Sequence, residues 1–262
     1  MNISFKNHTA LITGGLGNIG FEISKTFLDS NIDNLIIIDI KDERLDELKS
    51  QSSKNQNIIF KCLDLTDFKT LEKEFENIFD NDLKLDILIN NAAFVGSSNL
   101  TGWNVDYFEQ NISSWNQAIK LNLTAVNQLI KILYPYFNNK KNTSSIINIA
   151  SIYGSKAPNW DIYKGLNIDN PLAYNVSKAG IIQMTKYLAS YFTGQNIRVN
   201  YISPGGALST QNKEFISRYS QRTPLGRMAT FEEIGKIAAL LSHNTFEYIN
   251  GQDIIVDGGF SL

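Results

Sequence analysis

Short apolar runs of strand length alternate with longer, helix-length segments along the whole chain. The runs are nearly continuous in Ile, Leu and Val, which predicts strands buried on both faces, as in a parallel sheet covered by helices. Seven strands are predicted in this way: Thr9 to Thr13, Asn34 to Asp39, Ile58 to Leu63, Ile87 to Asn90, Ser145 to Ala150, Arg198 to Ile202 and Asp253 to Val256.

The segments between these runs carry the apolar periodicity of helices. Five helices are predicted: Ile19 to Leu28, Asp67 to Phe79, Ser114 to Phe137, Leu172 to Phe192 and Phe231 to Leu241. Right-handed crossovers between parallel strands place such helices on both faces of one sheet. We therefore expect a single α/β domain over residues 1–262, with a doubly wound (Rossmann) seven-stranded parallel sheet.

Composition narrows the classes of partner. The 262 residues carry a net charge of −2, which argues against nucleic acid as a partner. Cys62, the one cysteine, excludes an internal disulfide, and with only His8 and His243 beside it we expect no metal site. The N-terminal residues show neither a basic leader nor a cleavage motif, and no apolar run reaches about 18 residues. We expect a cytoplasmic protein with no membrane attachment.

A glycine-rich turn follows the first strand and opens the first helix. It contains the pattern G-x-G-x-x-G at Gly15, Gly17 and Gly20. Backbone N–H groups and the positive end of the helix dipole then lie where a pyrophosphate can bind. The expected cofactor contacts in this turn are Gly14, Gly15, Gly17, Asn18, Ile19 and Gly20. On the motif alone, a glycine-rich turn of some other α/β protein remains an alternative.

An acidic residue ends the second strand. Asp39 lies 19 residues beyond Gly20, where a carboxylate can accept hydrogen bonds from the adenosine ribose hydroxyls. Its charge would repel a 2′-phosphate, so NAD(H) is the preferred cofactor. Lys41 lies close enough to tolerate such a phosphate, which leaves NADP(H) open.

The pattern Y-x-x-x-K occurs twice, so its position must decide between the copies. Tyr136 and Lys140 lie beside Pro135 where a long helix gives way to a polar run, and we expect Lys140 to be a solvated loop residue. Tyr174 and Lys178 begin a new helix after the fifth strand, and their i, i+4 spacing places phenol and ammonium on one face. The second pair is the candidate site.

A tyrosine that acts as a base near neutrality must lose about 3 pKa units, or about 4 kcal/mol. One ammonium about 4 Å away, at an effective dielectric constant of about 20, supplies about 4 kcal/mol. A single lysine therefore suffices in principle. The phenol could then exchange a proton with an alcohol or carbonyl oxygen while a hydride moves to or from nicotinamide.

Further short motifs follow one another in a fixed order. They are Leu63-Asp64-Leu65-Thr66, Asn90-Asn91-Ala92-Ala93, Leu121-Asn122-Leu123, Ile147-Asn148-Ile149-Ala150-Ser151, Ile197-Arg198-Val199-Asn200, Ser203-Pro204-Gly205-Gly206 and Asp257-Gly258-Gly259. Together with the glycine turn and the Tyr174 pair, they resemble the short-chain dehydrogenase/reductase superfamily in its short, single-domain form, over almost the whole chain.

The resemblance implies roles for particular residues. Tyr174 is the general acid/base, Lys178 lowers its pKa and binds the nicotinamide ribose, Ser151 orients the substrate oxygen, and Asn122 holds a relay water. The other implied cofactor contacts are Asp64, Leu65, Asn91, Ala92, Ala93, Pro204, Gly205 and Ser209, with Thr210 beside the last. Simpler alternatives are that Asn122 satisfies a helix break and Ser151 caps a strand.

Two features depart from the family pattern. The glycines follow Thr13-Gly14-x-x-Gly17-x-x-Gly20, the spacing of longer relatives that act on nucleotide sugars, for whose extra domain 262 residues leave little room. Ser151 and Tyr174 are 23 residues apart where about a dozen is usual, so residues 155–171 form an insertion beside the site. The insertion resembles those of bacterial surface-sugar pathway members.

Loops at such a position set substrate choice. The predicted substrate residues are Ser151, Tyr153, Trp160 and Tyr163, of which Trp160 and Tyr163 could stack on a sugar ring. The alternative is that the insertion packs on a neighbouring subunit. Residues 207–222 are expected to form a mobile substrate lid. The segment Arg222 to Arg227 resembles the family's return from the lid to the body, and its arginines could meet an anionic substrate; a salt-bridged surface is the commoner outcome.

The leading hypothesis is an NAD(P)-dependent oxidoreductase of alcohols and carbonyls, with a sugar or sugar-derived small molecule as substrate. A reductase of 3-oxoacyl thioesters and a non-catalytic dinucleotide sensor are the alternatives. Small and apolar residues spread around the helix after Tyr174, at Ala179, Gly180, Ile182, Met184 and Leu188, predict a homo-oligomer, either a dimer or a tetramer.

Overall fold

Seven parallel strands form one sheet in the order β3-β2-β1-β4-β5-β6-β7. The computed structural model describes residues 3–80, 82–138, 143–166 and 168–262. The strands are β1 Thr9–Thr13, β2 Asn34–Asp39, β3 Asn57–Cys62, β4 Ile87–Asn90, β5 Ser144–Ile149, β6 Ile197–Pro204 and β7 Asp253–Val256. The predicted fold class and all seven strands are confirmed, with shifts of a residue or two at some strand ends.

Alternate residues of the central strands enter two different cores. Leu11, Ile36 and Val199 pack with one helical layer, whereas their neighbours Ile12 and Ile37 pack with the other. Burial on both faces explains the continuous runs of Ile and Leu, because neither face of these strands meets water.

Eight helices occur among the described residues. They are α1 Asn18–Asp29, α2 Leu45–Ser50, α3 Phe68–Ile78, α4 Ile112–Ile119, α5 Val126–Leu133, α6 Leu172–Tyr191, α7 Lys213–Arg222 and α8 Phe231–Ser242. Side chains of α1 and α8 enter one core, whereas those of α3, α5 and α6 enter the other. Within the part of the chain that the structure describes, no helix combines the length and apolar character needed to cross a membrane.

The predicted helix from Ser114 to Phe137 is confirmed as a continuous helical segment from Ile112 to Tyr136, but it is not α-helical throughout. A π-helical segment, Lys120–Ala125, separates α4 from α5, and a 3-10 turn, Tyr134–Tyr136, follows α5. The apolar periodicity continues through the π segment, so the side-chain pattern did not reveal it. Lys140, expected in the loop beyond, lies outside the described residues.

The insertion and the expected lid pack against each other. Ile162 of the insertion joins Phe215 and Tyr219 of α7 in a small core separate from the two main cores. The Arg218 side chain donates hydrogen bonds to the backbone oxygens of Lys164 (2.6 Å) and Asp161 (3.4 Å). The segment expected as a lid therefore contains a helix, α7, that the sequence reasoning did not predict.

Candidate active site

The glycine turn between β1 and α1 is sterically constrained at two positions. Gly14 has a φ of 62°, which favours glycine, and a Cβ at Gly20 would lie 1.9 Å from the Gly14 carbonyl oxygen. The Asn91 side-chain nitrogen donates to the Gly14 oxygen at 2.9 Å and to the Thr13 oxygen at 3.1 Å. The turn is thereby fastened to the segment after β4.

The N-terminus of α1 fits the phosphates of a dinucleotide. Gly17 is the N-cap residue and has no side chain with which to cap the helix, so the N–H groups of the first turn remain available to a ligand. A Cβ at Gly17 would meet only the Gly14 oxygen, at 3.4 Å, and would otherwise enter open space beside these N–H groups. The chemistry of the turn and the space in front of it both suit a pyrophosphate.

The Asp39 carboxylate organises the turn as well as facing the expected ribose site. One of its oxygens accepts from the Leu16 N–H at 3.0 Å, and the other accepts from the Ile40 N–H at 2.8 Å and the Lys41 N–H at 3.3 Å. Lone pairs remain for a further donor. The Lys41 ammonium lies 3.6 Å from the Glu43 carboxylate, in an exposed ion pair. Sequence reasoning missed the bond from Leu16, which joins β2 to the glycine turn.

The remaining expected adenine and nicotinamide contacts lie along the same sheet edge. Thr13 Oγ1 accepts from the N–H groups of both Asn91 (3.0 Å) and Ala92 (3.1 Å), an interaction that the sequence did not indicate. The Asp64 carboxylate is exposed at this edge and accepts from the Thr66 N–H at 2.8 Å. Leu65 beside it is buried.

The segment after β6 is held from both sides. The Gly205 N–H donates to the Val256 oxygen at 2.9 Å, and the Gly206 N–H donates to the Tyr219 hydroxyl at 2.6 Å. The Tyr219 ring in turn stacks on Phe260 at 4.1 Å. Ser209 is exposed, and its N–H donates to Gln211 Oε1 at 2.6 Å. Tyr219 is a further residue that sequence reasoning missed, because it acts from a helix that was not predicted.

Tyr174, Lys178 and Ser151 come together at the carboxyl end of β5. Tyr174 and Lys178 lie one turn apart near the start of α6, and Lys178 Nζ is 5.7 Å from the centre of the Tyr174 ring. The Ser151 side chain hydrogen-bonds the Tyr174 phenol and also accepts from the Tyr153 N–H at 3.2 Å. The buried Lys178 ammonium donates to the Ile149 oxygen at 2.6 Å.

The pKa values in this cluster differ from the electrostatic argument made from spacing alone. Burial raises the pKa of the Tyr174 phenol, and the hydrogen bond with Ser151 lowers it by less. Burial lowers the pKa of Lys178 to about 8. The expected lowering by an ammonium about 4 Å away is absent: the Lys178 amine is directed to the Ile149 carbonyl, and desolvation has the largest effect on the Tyr174 pKa.

Asn122 lies in the π-helical segment, and both ends of its buried amide are hydrogen-bonded. Its oxygen accepts from the Phe94 N–H at 2.7 Å, and its nitrogen donates to the Phe94 oxygen at 2.9 Å and to Ser177 Oγ at 3.2 Å. The side chain thus joins the segment after β4 to α6, next to Lys178. The simpler alternative, that Asn122 satisfies a helix break, is therefore partly supported, because its amide bonds backbone groups at an irregular helical segment.

Of the three aromatic residues predicted to contact substrate, two form a half-buried pair and one is exposed. The hydroxyls of Tyr153 and Tyr163 are 3.0 Å apart, and Asn170 Nδ2 donates to the Tyr163 hydroxyl at 3.2 Å. Burial raises the pKa of both phenols. Trp160 is 56% exposed, with its ring centre 6.0 Å from that of Tyr163. The structure therefore brings Tyr153 and Tyr163 together and leaves Trp160 at the surface.

The arginines near the lid have protein partners. Arg227 forms a two-point ion pair with Glu233, with N–O distances of 2.8 and 2.6 Å, and this pairing lowers the pKa of Glu233 to about 2. The Arg222 guanidinium lies 6.0 Å from the centre of the Phe260 ring. Among the residues described, no group of three or more His, Cys, Asp or Glu side chains could hold a metal ion.

Comparison with known proteins places the chain in a family. Residues 15–261 match a family model described as enoyl-(acyl carrier protein) reductase. A post-translational flagellin modification protein A from Campylobacter coli is 28% identical over 98% of this chain and 99% of its own length. A 3-oxoacyl-[acyl-carrier-protein] reductase from Thermotoga maritima is 29% identical over 96% of this chain and 97% of its own.

Solved structures match this chain over almost its whole length. A short-chain dehydrogenase from Leptospira borgpetersenii with bound NAD+ has a TM-score of 0.85 and 30% identity, and the match covers 99% of this chain and 94% of that one. The RhlG/NADP active-site complex from Pseudomonas aeruginosa also has a TM-score of 0.85, with 26% identity over 100% and 99% of the two chains.

Proposed function

The chain belongs to the short-chain dehydrogenase/reductase superfamily, and we propose that it interconverts an alcohol and a carbonyl, with Tyr174 as the general acid/base. The observation that carries this proposal is the cluster of Tyr174, Lys178 and Ser151 at the edge where a nicotinamide dinucleotide would bind. The dinucleotide, held at the glycine turn and at Asp39, supplies or accepts the hydride when bound.

In the reducing direction the Tyr174 hydroxyl gives its proton to the substrate oxygen, and the Ser151 hydroxyl donates a hydrogen bond to the same oxygen. The phenolate left on Tyr174 is stabilised by the Lys178 ammonium on the same helix face. The raised pKa of the ligand-free phenol keeps the proton in place until a substrate oxygen arrives. In the oxidising direction the same groups act in reverse.

Cofactor preference follows from the charge at Asp39. Asp39→Asn keeps an oxygen for the Leu16 N–H but removes the charge that repels a 2′-phosphate. We expect the ratio of NADPH to NADH affinity to rise about fivefold, because one close charge repulsion at a surface site is worth about 1 kcal/mol. Fluorescence titration with both cofactors measures the ratio, with Asp64→Asn as the matched control. An unchanged ratio would remove Asp39 as the basis for preferring NAD(H).

The substrate that we propose is a sugar or sugar-derived carbonyl compound. Support comes from the hydrogen-bonded hydroxyls of Tyr153 and Tyr163 and from the relative named for flagellin modification. A 3-oxoacyl thioester is the second candidate, because a relative of similar identity is named as a reductase of that class. NADH oxidation measured in parallel with keto-sugars and with acetoacetyl thioesters separates the two. Tight NADH binding with no turnover of either class would favour a dinucleotide sensor.

The burial of Lys178 predicts that the stability of the protein depends on pH. Its pKa is about 8 in the folded chain, whereas an unfolded lysine titrates near ~10.4, so the folded state releases its proton first. The free energy of unfolding should therefore rise between about pH 8 and about pH 10. Lys178→Met should lack this rise, and should be more stable than wild type by up to about 3 kcal/mol near neutrality, although inactive.

Urea denaturation at both pH values measures this effect. Lys186→Met, on an exposed part of the same helix, should retain the wild-type pH dependence. If the difference in unfolding free energy between wild type and Lys178→Met were the same at both pH values, the Lys178 ammonium would not be buried in the folded protein.

We also propose that α6 forms a contact between copies of the chain. Ile182 and Leu188, two of the residues that predicted an oligomer, are buried within the protomer. The exposed apolar side chains on α6 are instead Leu172, Val176, Tyr187 and Tyr191. At the start of α6, Leu172 also lines an open groove of about 520 Å³ together with Tyr107, Phe108 and Ile112. Apolar side chains of this size on one side of the molecule favour burial against a second copy.

Sedimentation velocity tests this contact. Wild type should sediment as a dimer or tetramer, and Tyr187→Glu should shift it towards the monomer. The control Tyr248→Glu, at a fully exposed tyrosine elsewhere, should leave the assembly unchanged. A monomeric wild type would contradict the proposal.

A further inference from the structure

The buried phenol of Tyr219 contacts the turn that follows β6. Its oxygen accepts from the Gly206 N–H at 2.6 Å, and the direction of this bond is fixed because a backbone nitrogen can only donate. Burial raises the pKa of the phenol, so the group stays uncharged near neutrality. Tyr219 lies on α7, 13 residues beyond Gly206, and is 2% exposed. The bond therefore joins a helix of the expected lid to the turn.

The two glycines of the turn allow the Tyr219 ring to approach it closely. A Cβ at Gly205 would lie 2.9 Å from the Tyr219 oxygen, and a Cβ at Gly206 would lie 2.8 Å from Tyr219 Cζ. A side chain at either position would force the ring to move. On the other side of the turn, the Gly205 N–H donates to the Val256 oxygen at 2.9 Å. The turn is thus enclosed between the phenol and β7.

The phenol of Tyr219 is itself held by the C-terminal segment and by the insertion. Its ring stacks on Phe260, with 4.1 Å between the ring centres and 6° between the ring planes. Ile162 of the insertion packs in the same small core, and the neighbouring Arg218 donates to the Lys164 oxygen at 2.6 Å. The ring whose oxygen meets the turn therefore has a fixed position of its own.

The turn after β6 borders the place where hydride transfer is proposed. Ile149 of β5 pairs with Ile202 of β6, and Ser151 and Pro204 each lie two residues beyond that pair. A dinucleotide with its pyrophosphate at the β1 turn and its adenosine at Asp39 must extend its other half across β4 and β5 to reach Ser151. The turn after β6 is the next segment along that edge of the sheet.

We propose that Tyr219 is a positioning residue for the nicotinamide half of the cofactor, and that it acts through the turn at Gly205 and Gly206. The inference rests on the proposed function, since it concerns how the cofactor of that same reaction is held. Without the phenol oxygen the Gly206 N–H loses its acceptor, and an unsatisfied donor in a partly buried site is costly. The turn must then move or admit water. We therefore expect an effect confined to the nicotinamide half.

ADP-ribose separates the two halves of the cofactor, because it has the adenosine and both phosphates of NADH but no nicotinamide. Tyr219→Phe keeps the ring that stacks on Phe260 and removes only the oxygen. The dissociation constant for NADH should rise about tenfold, and that for ADP-ribose should change by less than about twofold. Calorimetric titration measures both constants without turnover. Tyr136→Phe, which removes a phenol stacked on Phe79 elsewhere, should leave both unchanged.

Two results would overturn the role of Tyr219. Equal weakening of NADH and ADP-ribose would show a merely structural role, and an unchanged NADH affinity would show that the turn does not depend on the phenol oxygen. If Tyr219→Phe does not fold, Phe260→Leu is the second variant. It keeps the oxygen but removes the stacking that orients the ring, so the ratio of the NADH to the ADP-ribose dissociation constant should rise about threefold. An unchanged ratio in Phe260→Leu would also contradict the proposal.

Amide hydrogen exchange followed by NMR provides a local measurement on the ligand-free protein. In Tyr219→Phe the Gly206 amide should exchange at least about tenfold faster than in wild type. The Tyr201 amide, bonded to the Gln252 oxygen beside the same strand, should keep its wild-type rate. Equal acceleration at both amides would indicate a general loss of stability and would overturn the proposal.

Failure of this inference is distinguishable from failure of the proposed function. A wild-type ratio of the two dissociation constants in Tyr219→Phe, with Tyr174→Phe inactive, would overturn the inference and leave the function standing. Turnover by Tyr174→Phe would overturn the function. A tenfold loss of NADH affinity alone in Tyr219→Phe, with ADP-ribose bound as in wild type, is the result expected here.

Discussion

Tyr174→Phe is expected to lower kcat for carbonyl reduction by about a thousandfold or more, while the dissociation constant for NADH changes by less than about threefold. Phenylalanine fills the same space on α6, so the packing around Lys178 and Ser151 persists. What is lost is the one hydroxyl placed to give a proton to the substrate oxygen. Steady-state kinetics measure the first quantity, and NADH fluorescence titration measures the second.

The other Y-x-x-x-K tyrosine provides the control for this variant. Tyr136→Phe removes a phenol from the same sequence pattern, at a 3-10 turn where the ring stacks on Phe79. It should keep wild-type turnover. If the two variants lost activity to the same degree, or if Tyr174→Phe kept its activity, the assignment of Tyr174 as the general acid/base would be wrong.

Gly20→Ala is expected to disrupt both folding and cofactor binding. The added Cβ would lie 1.9 Å from the Gly14 oxygen, a backbone atom in a turn held by Asn91, so α1 must move. Overpacking against backbone costs about 3 kcal/mol or more of unfolding free energy. Thermal unfolding should show a clear loss of stability, and NADH binding should fall below detection.

Gly17→Ala separates the two effects. Its Cβ would meet the Gly14 oxygen at an ordinary contact distance of 3.4 Å and would project into the open space in front of the helix N-terminus. The variant should keep wild-type stability within about 1 kcal/mol and lose at least about tenfold in NADH affinity. Gly96→Ala, where a Cβ would meet nothing within 4 Å, is the control. Unchanged NADH affinity in Gly17→Ala would place the phosphates elsewhere.

The strands were predictable because burial on both faces leaves a direct signature in the sequence. The central residues of β1, β2 and β4 are all apolar, since alternate residues enter the two cores. The short helix α2 and the polar helix α7 carry no comparable signature. α7 buries Phe215 and Tyr219 in a small core built partly from the insertion, and the sequence does not show that core until the chain is folded.

The candidate site was likewise predictable from the sequence only in part. Spacing on one helix was enough to pair Tyr174 with Lys178, because i, i+4 neighbours always share a face. It could not give the pKa values, since these depend on burial and on the Ile149 carbonyl, which lies on a strand 29 residues earlier. The hydrogen bonds from Asn170 to Tyr153 likewise depend on how the insertion folds back towards Ser151.

The central claim is that this chain transfers a hydride between a nicotinamide cofactor and a carbonyl carbon, with Tyr174 delivering the proton. The most direct test uses NADH that carries deuterium at the transferable position, 2-hydroxycyclohexanone as substrate, and mass spectrometry of the product. Wild type should yield a diol that contains one deuterium on carbon, and Tyr174→Phe should yield none while still binding NADH. A product without deuterium from wild type, or equal deuterium transfer by both proteins, would contradict the claim.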